Sequence, residues 1–112
     1  MHNVRVKSGG TQAMLGSGVT STSTGAWIYK DSPDATYFAS VTGTGAVTAT
    51  VVIEVSNDGT NAASTVMGTI TLSGTTTAAD GFTSQGAPWK WVRARVTAVT
   101  GTGATVQTTQ GV

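Results

Sequence analysis

Val41–Gly59 reads VTGTGAVTATVVIEVSNDG, and its opening VTGTGA returns at Val99–Ala104. A Gly-Thr turn leads into a long alternating stretch, which ends at an Asp-Gly pair. Val47, Ala49, Val51, Ile53 and Val55 fall on one face, and Thr48, Thr50, Glu54 and Ser56 on the other. Successive side chains of a strand point to opposite sides, so a period of two marks a half-buried antiparallel strand. Asp58-Gly59 supplies the positive φ that a tight hairpin needs. The flanks of the two VTGTGA copies do not align over a full repeat period, which favours reuse of a good hairpin turn over an internal duplication.

The same grammar extends outward. AWIYK (Ala26–Lys30) leads into the turn Asp31-Ser32-Pro33-Asp34, and TYFASV (Thr36–Val41) precedes the long strand Ala46–Ser56. TVMGTITLS (Thr65–Ser73) puts Val66, Gly68, Ile70 and Leu72 on one face, and GTTTAADGF reads as a loop. WKWVRARVTAV (Trp89–Val99) is a second long strand, opened by Pro88, and ATVQTT (Ala104–Thr109) pairs back across Gly101-Thr102-Gly103. No window has a helical period. Seven or eight short strands with frequent turns predict an all-β, antiparallel β-sandwich or jelly-roll-like fold over residues 26–112. Residues 1–25 form an extended segment rich in Gly, Ser and Thr, with one short strand at Val4–Ser8. Either it is an arm that adds a strand to a neighbouring subunit, or it is a loose start with one edge strand.

Composition narrows the function classes. The chain has 112 residues, enough for one domain with a sizeable core, and 38% of them are hydrophobic. Only 10% are charged, against about 25% in an average domain. Thr is the commonest residue, so solubility comes from hydroxyls rather than charges. The net charge of +1, with no basic run, gives no field for gathering nucleic acid or anionic lipid. There is no cysteine, the first residues lack the apolar core of a signal peptide, and no apolar run approaches the ~18 residues of a membrane helix. A soluble protein folded in a cytoplasm is expected, with neither nucleic acid nor membrane as partner.

Catalytic constellations fail on residue types. His2 is the single histidine, and no cysteine can join it in a nucleophilic pair or a zinc site. Of the carboxylates Asp31, Asp34, Glu54, Asp58 and Asp80, four fall in turns, where Asp is ordinary turn chemistry. Asp31, Asp34 and Asp58 lack the spacing of a calcium loop. The Gly-Thr-Gly turns reach no third glycine and open no helix, so they are not a dinucleotide fingerprint. No enzyme, cofactor or metal is expected.

The sharpest candidate site is Trp89, Trp91, Arg93 and Arg95. In a strand these share one face at about 6.8 Å spacing, opposite Val92, Ala94, Val96 and Ala98 as the core face. Trp and Arg are enriched at binding hot spots and attract one another by cation–π stacking. The competing account is a bulge that turns a Trp inward, or Arg stems that merely cover the rings. Trp27 and Tyr29 form a second alternating pair, read as core packing or an aromatic rim.

GAVTATVVIEVSNDG, GTITLSGT, ADGF and WKWVRARVTAVTGTGATV together resemble small virion proteins of tailed bacteriophages, most of all head decoration (cement) proteins. The matching pattern lies in Val47–Gly59, Ile70–Gly74 and Trp89–Val106. The resemblance implies a structural subunit that bridges neighbouring major capsid proteins on the outer surface of the virion, as a symmetric homo-oligomer (dimer or trimer). Trp91, Arg93 and Arg95, with Trp89, would face the partner, and Arg5 and Lys7 of the first segment would reach across a subunit boundary. The alternatives are a tail or baseplate component and a carbohydrate-binding attachment module.

Overall fold

A computed structural model describes residues 11–112, and every regular element among them is a strand. They are β1 (Thr11–Ala13), β2 (Ser23–Thr24), β3 (Ile28–Tyr29), β4 (Ala35–Ser56), β5 (Val66–Gly74), β6 (Thr77–Ser84) and β7 (Trp91–Gly111), all in one antiparallel sheet. The all-β antiparallel expectation holds, but the division into short strands does not. Thr36–Val41 and Ala46–Ser56 are parts of one 22-residue strand, β4. The two C-terminal segments likewise merge into the 21-residue β7. These two strands pair from Thr36↔Gly111 to Ser56↔Trp91 and form the spine of the molecule.

A straight strand the length of β4 would run about 73 Å at ~3.3 Å per residue. The longest dimension of the molecule is 45 Å, so the spine must bend. Both strands bend at their VTGTGA copies: Thr44 faces Thr102, and the ladder slips on either side of that pair. The echo therefore has a structural cause, because neighbouring strands that bend at different levels would lose their ladder. Gly101 has φ 122°, and a Cβ there would sit 2.7 Å from the Ala46 carbonyl oxygen. Only glycine permits that approach. The expectation of hairpin turns at Gly43–Gly45 and Gly101–Gly103 is corrected: the chain continues through both as bulged strand.

The edges follow the spine around its bend. β5 pairs with Val47–Glu54 and β6 with Ala35–Thr42, and the Gly43 N–H donates to Thr76 O (2.9 Å) between them. GTTTAADGF, expected as a loop, supplies most of β6. Its polar side chains hid a strand whose cohesion is backbone pairing to β4. On the opposite edge, residues 11–30 track β7 piecewise, through Gln12↔Gln110, Val19↔Val106, Thr24↔Arg95 and Ile28↔Val92. From Thr11 onward the first segment thus lies along a strand of its own chain. Val4–Ser8 falls outside the described residues.

The alternating row is the core: Val47, Ala49, Val51, Ile53 and Val55 are all at most 1% exposed, packed with Tyr37, Val41, Val92, Ala94, Val96 and Val106. Two bulges correct the expected faces. Thr97 is an extra residue between the pairs Thr50↔Ala98 and Val51↔Val96, so Ala98 turns outward and Val99 inward. A slip between Ile53 and Glu54 likewise leaves Val66 exposed while Ile70 and Leu72 stay buried. β4 and β5 are neighbours, as a hairpin requires, but the loop 57–65 joining them is wider than a two-residue turn.

Candidate partner-binding face

Beyond the bend, the strands β3, β7 and β4 lie side by side and turn one row of each away from the core. Register sets the neighbours: Tyr29 lies opposite Trp91, Arg93 opposite Glu54, and Arg95 between Thr24 and Val52. No slip occurs between Ser56↔Trp91 and Val51↔Val96, so Trp91, Arg93 and Arg95 keep one outward parity. Trp89 precedes β7 and packs, half-buried, against the hydrophobic core. Arg5 and Lys7 lie outside the described residues.

Glu54 organises the row. The Arg93 Nε–H donates to its Oε1 at 2.7 Å and the Arg95 Nε–H to its Oε2 at 3.1 Å, while the Glu54 side chain is only 11% exposed. A carboxylate removed from water this far needs charged donors, and here each oxygen has one. Two guanidiniums share one carboxylate, so the face keeps a surplus positive charge. The Arg93 guanidinium carbon sits 4.4 Å from the centroid of the Trp27 ring, a cation–π stack. Trp91 meets Tyr29 edge to face, with centroids 5.4 Å apart.

The turn after β4 closes over this end. Ser56 Oγ–H donates to Asp58 Oδ1 at 2.8 Å, and that oxygen also accepts the Thr60 and Asn61 N–H groups at 2.8 Å. These donors hold the Asp58 carboxyl well below the usual carboxylate range. Gly59 in this turn lies against the Trp91 indole; a Cβ there would be 3.2 Å from Cε2. What remains open to a partner is Tyr29, 47% exposed, and Arg95, whose side chain is 43% exposed.

Below this face a second polar knot ties two loops. Lys30 is 3% exposed, and its Nζ donates to the carbonyl oxygens of Ser32 (2.7 Å) and Ala87. Asp34 Oδ1 accepts the Gly86 N–H at 2.9 Å. Burial lowers the Lys30 pKa, against the raising effect of Asp34. Among the described residues no three His, Cys, Asp or Glu side chains gather as a metal site.

Sequence reasoning found the Trp-Arg row but missed Glu54 as its centre and Trp27 as a stacking partner. Glu54 was visible as the single charge on the polar face of its strand, and Arg93 and Arg95 as a same-face pair; only the register joining them was missing. No family model matches the chain, nor does any curated protein or solved structure.

Proposed function

We propose that this chain is a structural virion subunit of a tailed phage. It folds in the host cytoplasm and then decorates the outer capsid surface, bridging neighbouring major capsid proteins as a symmetric homo-oligomer. The observation that carries this proposal is the outward face of β3, β7 and β4, where a surplus guanidinium and a large aromatic ring stand exposed on a rigid, internally paired base. A partner that offers a carboxylate to Arg95 and an apolar surface to Tyr29 fits it. Each contact is small, and many copies on one shell would add up through multivalency.

The finer fold belongs to the same proposal. We read the bent sheet as a jelly-roll-like sandwich whose two layers are the halves of the spine with their edge strands. In support, Phe82 of β6 packs on Gly68 of β5, and the Ser84 Oγ–H approaches Met67 Sδ at 2.8 Å, so the far ends of the two edge strands meet. Strands that pass between layers through bulges are the usual corners of such folds.

The sugar-binding alternative needs open aromatic faces. Here one face of Trp27 carries the Arg93 guanidinium and Trp91 lies under Gly59, which favours a protein partner. The test is a cryo-electron microscopy reconstruction of the particle that contains the chain. Density repeated between capsomers, with the Tyr29–Arg95 face at the contact, is expected. Density confined to the tail, or none on the head, overturns the decoration role.

A further inference from the structure

Among the described residues β5 is the least guarded edge of the sheet. Among the described residues its ladder partner is β4 alone, so its outer backbone groups have no strand beside them. Such an edge templates pairing with another chain, and monomers suppress this with short pieces, charges or kinks. The edge opposite β5 is broken into strands of three, two and two residues. On β6, Asp80 places a charge in mid-strand, and its Oδ1 accepts the Gly81 N–H at 2.8 Å. β5 has a bulge at Met67, where its pairing to β4 slips, but no charge and no break beyond it. It runs for nine residues, keeps one register from Gly68 to Gly74, and lies within a stretch, 60–79, without a charged residue or proline.

What fits such an edge is read from its sequence, Gly68-Thr69-Ile70-Thr71-Leu72-Ser73-Gly74. About Thr71 it is a palindrome in character: glycine answers glycine, Thr69 answers Ser73, and Ile70 answers Leu72. A two-fold interface joins one patch to itself and so demands this self-complementarity. The absence of charge removes the like-charge repulsion that self-pairing would otherwise meet, and leaves nothing for a charged partner to recognise. We propose that a second copy of this chain pairs with the β5 edge, antiparallel about Thr71, so that the two sheets become one. Ile70 and Leu72, already 3% and 2% exposed, then continue the inner apolar row across the junction. The exposed Thr69, Thr71 and Ser73 continue the outer hydroxyl row, where Thr–Thr and Thr–Ser cross-strand pairs are favourable. The pairing gives a homo-oligomer a definite surface and does not rest on the capsid proposal, whose partner face lies on β3, β7 and β4.

The test uses the full chain and two variants at Thr71, which is exposed and has no core contact to lose. Sedimentation across a dilution series should give twice the chain mass for the wild type. Thr71→Lys sets two ammonium groups directly opposite one another and should give the monomer mass with an unchanged circular dichroism spectrum. Thr71→Cys, the single cysteine of its chain, lies opposite its own copy at about 4.5–5.5 Å between Cα atoms, within disulfide range, and should yield a covalent dimer on mild oxidation. If Thr71→Lys fails to fold, the cysteine variant decides. A monomeric or trimeric wild type, a dimer that survives Thr71→Lys, or a dimer that Thr71→Cys cannot link overturns the pairing. Capsid binding enters none of these readouts, so failure here leaves capsid decoration standing, although a monomeric wild type removes the homo-oligomer from it, and failure of decoration leaves the pairing standing.

Discussion

Arg93 belongs to the fold before it belongs to a partner: its Nε–H donates to the buried Glu54 carboxylate at 2.7 Å, and its guanidinium stacks on Trp27. Arg95 shares the carboxylate from a more exposed position. Two arginines that look equivalent in sequence therefore differ in what the fold asks of them, and Arg95 is the one left more open to a partner. Arg93→Ala leaves a buried carboxylate with its weaker donor and should cost about 2–4 kcal/mol in urea unfolding. Arg95→Ala should cost less than about 1 kcal/mol, as exposed pairs do. Equal losses for the two variants would refute that difference. It also follows that Arg95→Ala, rather than Arg93→Ala, is the clean probe of partner binding.

A second prediction concerns alkaline pH. Tyr37 is 1% exposed and its hydroxyl donates to Gln110 Oε1 at 2.9 Å, inside the half of the sheet that holds β1 and β6. Burial raises the Tyr37 pKa above its usual value near 10. The unfolded chain therefore releases this proton first, and the stability contribution present below about pH 10 is lost progressively above it. Tyr37→Phe should lose about 1–2 kcal/mol at neutral pH, since Gln110 is left with an unmet carbonyl. The gap in melting temperature between wild type and variant should narrow as pH rises past 10. Lys30, lowered by burial, contributes with the opposite sign, gaining stability as pH rises towards its unfolded value, but it does so in both proteins and cancels in the difference. A gap that stays constant or widens would contradict the assignment.

The bend supplies a third test. Gly101→Ala meets both an unfavourable φ of 122° and the Ala46 carbonyl at 2.7 Å from the new Cβ. Gly45→Ala, at φ 84°, meets open space and only the backbone penalty. The expected costs are about 1 kcal/mol for Gly45→Ala and about 3 kcal/mol or more for Gly101→Ala, read by chemical denaturation. If the two variants lose the same stability, the close crossing of the spine strands at this level is wrong.

The same glycines explain what could be read from the sequence and what could not. Val47 to Val55 announced a core row because alternation is a property of one strand, and the Trp91–Arg95 row was legible for the same reason. Gly-Thr-Gly was ambiguous because a hairpin and a bulge ask for the same positive φ; which one forms depends on whether the flanking strands continue. Ala98 and Val66 lie on the faces opposite to those the alternation predicts, because a single inserted residue, invisible in composition, inverts every side chain beyond it. The Glu54–Arg93 bond spans 39 residues of sequence and depends on the pairing of β4 with β7. Local pattern cannot reach it.

The spine also buries a hydroxyl at Thr108. Thr108 is fully buried, and its Oγ1 has no hydrogen-bond partner among the described residues. Its backbone N–H is already taken by Gln107 Oε1 at 2.9 Å, and its carbonyl by the Met14 N–H at 2.8 Å, so neither depends on the side chain. Where folding strips water from such an oxygen and no protein group replaces it, the cost is about 1–3 kcal/mol. Valine has the same shape with a methyl group in place of the hydroxyl and keeps the β-branch that suits a strand. Thr108→Val should therefore raise stability by about 1 kcal/mol, with a matching rise in melting temperature. A loss of stability in this variant would mean that the hydroxyl has a partner in solution, such as a bound water, and that the position is polar by design.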